Sequence, residues 1–72
     1  METVEITEEY ITLGQVLKLS GLADSGVEAK YMILDAQVLV NNNIEIRRGK
    51  KIRNGDIVEI KGGKKIVIYE KK

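Results

Sequence analysis

Between residues 11 and 70 the spacing of apolar positions changes once, near Gln37. Before that point it is helical: Leu13, Val16 and Leu17 share one face, and Ala29, Met32, Ile33 and Ala36 form a second stripe. Val27, Tyr31 and Leu34 lie on a neighbouring arc. Start signals stand ahead of both stretches. Thr12 and Gln15 have the spacing of a capping box, with Ile11 and Val16 placed to act as a hydrophobic staple, and Ser25 with Glu28 repeats the box. Gly21 stands where a helix commonly stops in a left-handed conformation. These signals predict helices over about residues 13–20 and 26–35, with Tyr31 and Met32 in the core.

After Gln37 the period is two. Val38-Leu39-Val40 is a short β-branched run ended by Asn41-Asn42-Asn43, a residue type that tolerates positive φ. Ile44 and Ile46 alternate with Glu45 and Arg47 in the pattern of a half-buried strand. An Asn54-Gly55 turn leads into Asp56–Ile60, and Gly62-Gly63 leads into Lys65–Tyr69. At the N-terminus the alternation at Val4 and Ile6 fits either a short edge strand or a frayed end. Helices first and strands afterwards predict an α+β fold, two short helices packed on one side of a small antiparallel sheet. A single domain over residues 1–72 is expected, and a monomer, since packing both helices on the sheet leaves no long amphipathic seam.

Composition narrows the function more than the fold. The 72 residues include no cysteine and no histidine, which excludes disulfides, thiol redox chemistry, zinc fingers, cysteine nucleophiles and His-based triads. No cofactor and no metal site is expected. A domain this small buries only about 60% of the surface its unfolded chain exposes, but 43% hydrophobic and 32% charged residues are ample for a folded core. No run approaches the roughly 18 apolar residues of a membrane span. Glu2, Glu5, Glu8 and Glu9 stand where a secretory signal would carry bases, so a cytoplasmic location is expected.

Charge is divided unevenly. Residues 1–36 carry seven acids against two bases, and residues 37–72 carry ten bases against four acids, so a formal −5 and +6 hide inside a net +1. Five bases and no acid fall within residues 47–53: Arg47, Arg48, Lys50, Lys51 and Arg53. Charge alone fits either a polyanion partner or an ordinary solvated loop. Arg offers a planar fork suited to two phosphate oxygens, and Lys a mobile point charge. The start of the second helix adds unpaired amides that Gly26 leaves approachable.

The order of these motifs resembles the small RNA-binding domain of the type first described in ribosomal small-subunit protein S-four, also called the alpha-L motif. The resemblance covers about residues 11–61. It is carried by Ile11-Thr12-Leu13, Ser25-Gly26-Val27-Glu28-Ala29-Lys30, Val38-Leu39-Val40-Asn41 and Asn54-Gly55-Asp56-Ile57-Val58-Glu59-Ile60. Ser25-Gly26 and Arg47-Arg48-Gly49 match the stand-alone bacterial subfamily. The resemblance implies an RNA-facing surface made of Ser25 and Lys30 with Arg47, Arg48, Lys50, Lys51 and Arg53. Against it stand plainer roles: Ser25 as a helix cap, Lys30 as a surface charge, and Arg53 as a partner of Asp56 across the turn. The chain departs from many relatives at Gly26, where they carry Arg, and at Ala36 and Asn42, where they tend to carry Gly.

Tyr10, Tyr31 and Tyr69 are the only aromatic residues. Modules that read single strands usually display aromatic platforms, so the expected target is a structured RNA recognised by backbone shape. The resemblance implies ribosomal RNA or a tRNA-like fold, with the ribosome or ribosomal proteins as further candidate partners and no membrane. Relatives are often fused to catalytic domains, for which 72 residues leave no room. Glu8 and Glu9, as sequence neighbours on a terminal segment, read as solvated, so no enzymatic activity is expected. The rival reading is a protein-interaction adaptor whose basic loop docks an acidic partner.

Overall fold

A computed structural model describes residues 1–71. The element order is β1 (Glu2–Ile6), β2 (Tyr10–Thr12), α1 (Leu13–Leu19), α2 (Gly26–Leu34), β3 (Val38–Val40), β4 (Asn43–Ile44), β5 (Lys51–Arg53), β6 (Ile57–Ile60) and β7 (Lys65–Glu70). Both helices begin where the caps place them. Thr12 and Gln15 form the complete reciprocal box. At α2 only half of the expected box forms: the Ser25 hydroxyl accepts from the Glu28 amide at 3.1 Å, and the return bond from the Glu28 side chain is absent.

The α+β architecture matches the expectation, with an addition at the N-terminus. The main sheet runs β1-β7-β6-β3-β4. Its inner pairs are antiparallel, but β1 joins β7 in parallel, so the sheet is mixed rather than purely antiparallel. A separate two-stranded ribbon pairs β2 with β5, Tyr10 opposite Arg53 and Thr12 opposite Lys51. The register lines up Val40, Val58 and Ile66 across three strands. Those side chains, with Ile6, Val38 and Ile68, meet Leu13, Val16, Leu17, Ala29 and Ile33 from the helices in one core. Ile11 and Ile52 bring the ribbon into the same cluster.

Three local readings are corrected. Tyr31 is 58% exposed, while Met32 packs against the core as expected. The half-buried strand expected at residues 44–47 shrinks to Asn43–Ile44, and its facing is reversed: Ile44 and Ile46 are exposed and Glu45 is tucked in. The reason lies in the preceding turn. Asn41 and Asn42 have φ of 50° and 71°, and they form the whole loop of a two-residue hairpin in which Val40 faces Asn43. That tight turn sets the register of β4, and with it which side chains face inward. Finally, Lys51–Arg53, expected as loop, is a strand because it has β2 to pair with.

Ala36 follows α2 with φ of 58°, the left-handed conformation that favours Gly at a helix end. Its Cβ makes that conformation costly. Ala36→Gly should therefore raise stability by about 0.5–1 kcal/mol. Urea unfolding of the two proteins checks this, and an unchanged or lower midpoint would contradict the strain.

Candidate nucleic-acid interface

The first turn of a helix presents four amides without intrahelical partners. In α1 all four are satisfied, and by two different sources. Thr12 N–H donates to Gln15 Oε1 at 3.0 Å and Gln15 N–H to Thr12 Oγ1 at 3.4 Å. Leu13 N–H donates to the Lys50 carbonyl at 2.8 Å, and Gly14 N–H to the Arg48 carbonyl at 3.1 Å. The basic loop is thus tied by its own backbone to the start of α1. The stem of Arg48 lies directly on Gly14, where a Cβ would stand 2.9 Å from Arg48 Cγ. Glycine is what permits this seat.

Between the starts of the two helices and this loop lies an open groove of about 660 Å³. Lys18 from α1, Lys30 from α2 and Arg48 from the loop line it, with Ser25 and Gly26, and no acid among the described residues does. None of the three cations makes an ion pair among the described residues. A Cβ on Gly26 would meet nothing within 4 Å, so the backbone there is open to an approaching anion. Ser25 spends an acceptor on its cap, and its hydroxyl proton stays available to donate. Capping and ligand contact are compatible roles for this residue. Lys18 escaped the sequence reading because it is an isolated charge.

The remaining expected site residues lie elsewhere. Arg47, Lys50 and Lys51 surround a second, smaller hollow of about 430 Å³ with Gly49. Arg47 is already engaged: its Nε and Nη2 reach Glu45 Oε2 and Oε1 at 2.9 and 3.1 Å, and its amide also donates to Glu45. These bonds to Arg47 hold the Glu45 carboxyl down from 4.5 to about 2, and the same carboxylate raises the pKa of Arg47. Arg53 stands on the ribbon, away from the groove. Its side chain pairs with Glu9 at 3.2 Å, not with Asp56, which accepts the backbone amide of Arg53 at 2.8 Å instead.

The S4 domain family model matches residues 4–69. The chain belongs to the S4 domain family. The curated relatives of this S4 domain include a probable ribosome maturation protein, RlbA, of Bacillus subtilis (strain 168), 48% identical over 59 residues that cover 82% of this chain and 83% of the relative. They also include a putative RNA-binding protein, YbcJ, of Escherichia coli (strain K12), 38% identical over 53 residues, 74% of this chain and 76% of that protein. The solution structure of YbcJ, which reveals an alpha-L motif involved in RNA binding, superposes with a TM-score of 0.73 at 31% identity. It covers 96% of this S4 domain and 87% of the YbcJ chain.

Glu45 provides a pH test of the loop. A carboxyl with a depressed folded-state pKa stabilises the fold above its ordinary value, and the contribution disappears as pH falls through the folded-state value. For this S4 domain the contribution is complete above pH 4.5 and lost on descending to about 2. The difference in urea midpoint between wild type and Glu45→Gln should therefore be full at neutral pH and close over that window. A difference independent of pH would show that the pair does not titrate as described.

Proposed function

We propose that this chain binds structured RNA, without catalysis, by seating phosphates in the groove between the two helix starts and the basic loop. The observation that carries this reading is the convergence of Lys18, Lys30 and Arg48 from three separate elements on one acid-free groove. Cations converging from separate elements are harder to explain as a solvated face than a run of charge along one loop. Lys50 and Lys51, unpaired with any acid among the described residues, extend the positive surface along the loop. Arg47 is a secondary contact, because RNA must compete with Glu45 for its guanidinium. Arg53 has the same disadvantage with Glu9. Ribosomal RNA is the proposed target, a choice supported by the ribosome maturation role named for the Bacillus subtilis relative.

Counterion release gives the reading a measurable form. If the five unpaired cations each neutralise a phosphate, affinity should fall on the order of 10²- to 10³-fold between 50 and 200 mM salt. Arg48→Ala should flatten the slope of log affinity against log salt by about one unit, and Arg47→Ala by clearly less. Titration of ribosomal RNA fragments at several salt concentrations separates the two. Equal slopes for wild type and Arg48→Ala would remove the groove from RNA binding and favour docking of an acidic protein.

Gly14→Ala tests the seat beneath Arg48 without touching any charge. The new methyl must push the Arg48 stem aside, so RNA affinity should fall towards that of Arg48→Ala. Stability should hold, because alanine exceeds glycine in helix propensity by up to about 1 kcal/mol. Unchanged RNA affinity in a folded Gly14→Ala protein would show that the position of Arg48 does not matter.

A further inference from the structure

The outward face of the β2–β5 ribbon carries a feature that phosphate binding does not use. Side chains alternate along a strand, so Tyr10 and Thr12 share one face, and their partners Arg53 and Lys51 share it with them. Ile11 and Ile52 point the other way and are buried. On the outward face Lys51 Nζ lies 4.9 Å and Arg53 Cζ 5.2 Å from the centroid of the Tyr10 ring. The ring is held by two cations, yet Tyr10 remains 38% exposed.

Position gives the ring its significance. Thr12 lines the phosphate groove, and Tyr10 stands two strand residues beyond it, about 7 Å at roughly 3.3 Å per residue. Lys51 belongs to the second cationic hollow as well as to the tyrosine face, so positive surface connects the two. A part-exposed aromatic ring with two cations over it, at the end of a cationic track, combines the two elements that hold unpaired nucleotides once a base displaces the mobile Lys51 from the ring: a stacking plane and, in the released ammonium, backbone neutralisation. Among the described residues Tyr31 has only Lys30 beside its ring, at 6.0 Å.

We propose that Tyr10, framed by Lys51 and Arg53, stacks on one unpaired base adjacent to the RNA segment held in the groove. The preferred ligand is then a helix end or junction bearing an unpaired nucleotide, rather than a continuous duplex. This rests on the phosphate-binding role of the groove and specifies the kind of structured RNA it takes. Recognition is tolerant of base identity, since every base has a π-face. Arg53 divides its charge between the ring and Glu9 at 3.2 Å, so it orients the ring more than it attracts phosphate.

The experiment compares two RNA hairpins identical except for a three-nucleotide single-stranded extension on one, with 2-aminopurine as the first extension base. Wild type should bind the extended hairpin about 5- to 150-fold more tightly, the range expected for one stacked base, and should quench the 2-aminopurine fluorescence. Tyr10→Ala should abolish both the preference and the quenching while binding the blunt hairpin as wild type does, and Tyr10→Phe should keep both. Equal wild-type affinity for the two hairpins, or no quenching by wild type, would overturn the proposal while leaving the groove reading intact. Equal weakening of both hairpins by Tyr10→Ala would likewise assign the ring a purely structural role. If wild type bound neither hairpin, the groove reading itself would fall, and the stacking site with it.

Discussion

Everything on the candidate interface depends on how the first turn of α1 satisfies its amides. A helix start that leaves them to water needs nothing from the rest of the chain. Here two of the four are taken by the side-chain box of Thr12 and Gln15, and the other two by carbonyls of Lys50 and Arg48. Those two bonds span more than thirty residues of sequence. They convert a charged segment with no regular structure between β4 and β5 into a wall of the groove. They also use up the α1 amides, so the helix start that remains open to an anion is that of α2, beside Ser25 and Gly26.

A second physical distinction separates cations that are near one another from cations that are available. The basic run contributes five positive charges in sequence, but they fall in three environments. Arg47 is bound bidentately by Glu45, Arg53 is paired with Glu9 and packed on Tyr10, and Arg48, Lys50 and Lys51 have no acid partner among the described residues. The exposed Arg53–Glu9 pair contributes little to stability, yet both pairs reduce the charge a polyanion meets. Lys18 and Lys30, separated in sequence from the run, become part of the same field through the helix packing. The candidate interface is therefore both smaller and more distributed than the run suggests.

The parts of this structure legible in the sequence are those encoded within about four residues. Both helix starts are of this kind, because a cap and the amide it satisfies lie three positions apart, and so is the Asn41-Asn42 hairpin. The pairing of Glu45 with Arg47 was also legible, since residues two apart in extended chain share a face and these two carry opposite charge. The assumption that Ile44 and Ile46 supply the buried side obscured it. The β2–β5 ribbon was not legible. Each of its strands has three residues, and they pair across some forty positions; nothing local distinguishes Lys51–Arg53 from the loop before it. Lys18 was missed for the same reason, because its membership of the groove is a property of the packing.

The strands outside the resembling segment explain how so small a domain can hold this surface in place. β7 clamps the turn that precedes β6: Gly55 N–H donates to the Ile68 carbonyl at 2.8 Å, Ile68 N–H to Asp56 at 3.0 Å, and Glu70 N–H to Asn54 Oδ1 at 2.8 Å. Asn41 ties the same turn to the β3–β4 hairpin, donating to Asp56 Oδ1 at 3.1 Å and accepting from Ile57 N–H at 2.9 Å. β1 covers the outer edge of β7, and its Ile6 closes the core beneath. With the turn fixed, β5 is held against β2, and the loop leading into β5 is held at both ends, by the ribbon on one side and by the α1 amides on the other. Long basic side chains lose much rotamer freedom when they bind. A fixed backbone beneath them restricts the ordering cost to the side chains themselves, which is how preorganisation favours affinity. The outer strands thus support the candidate interface without touching it.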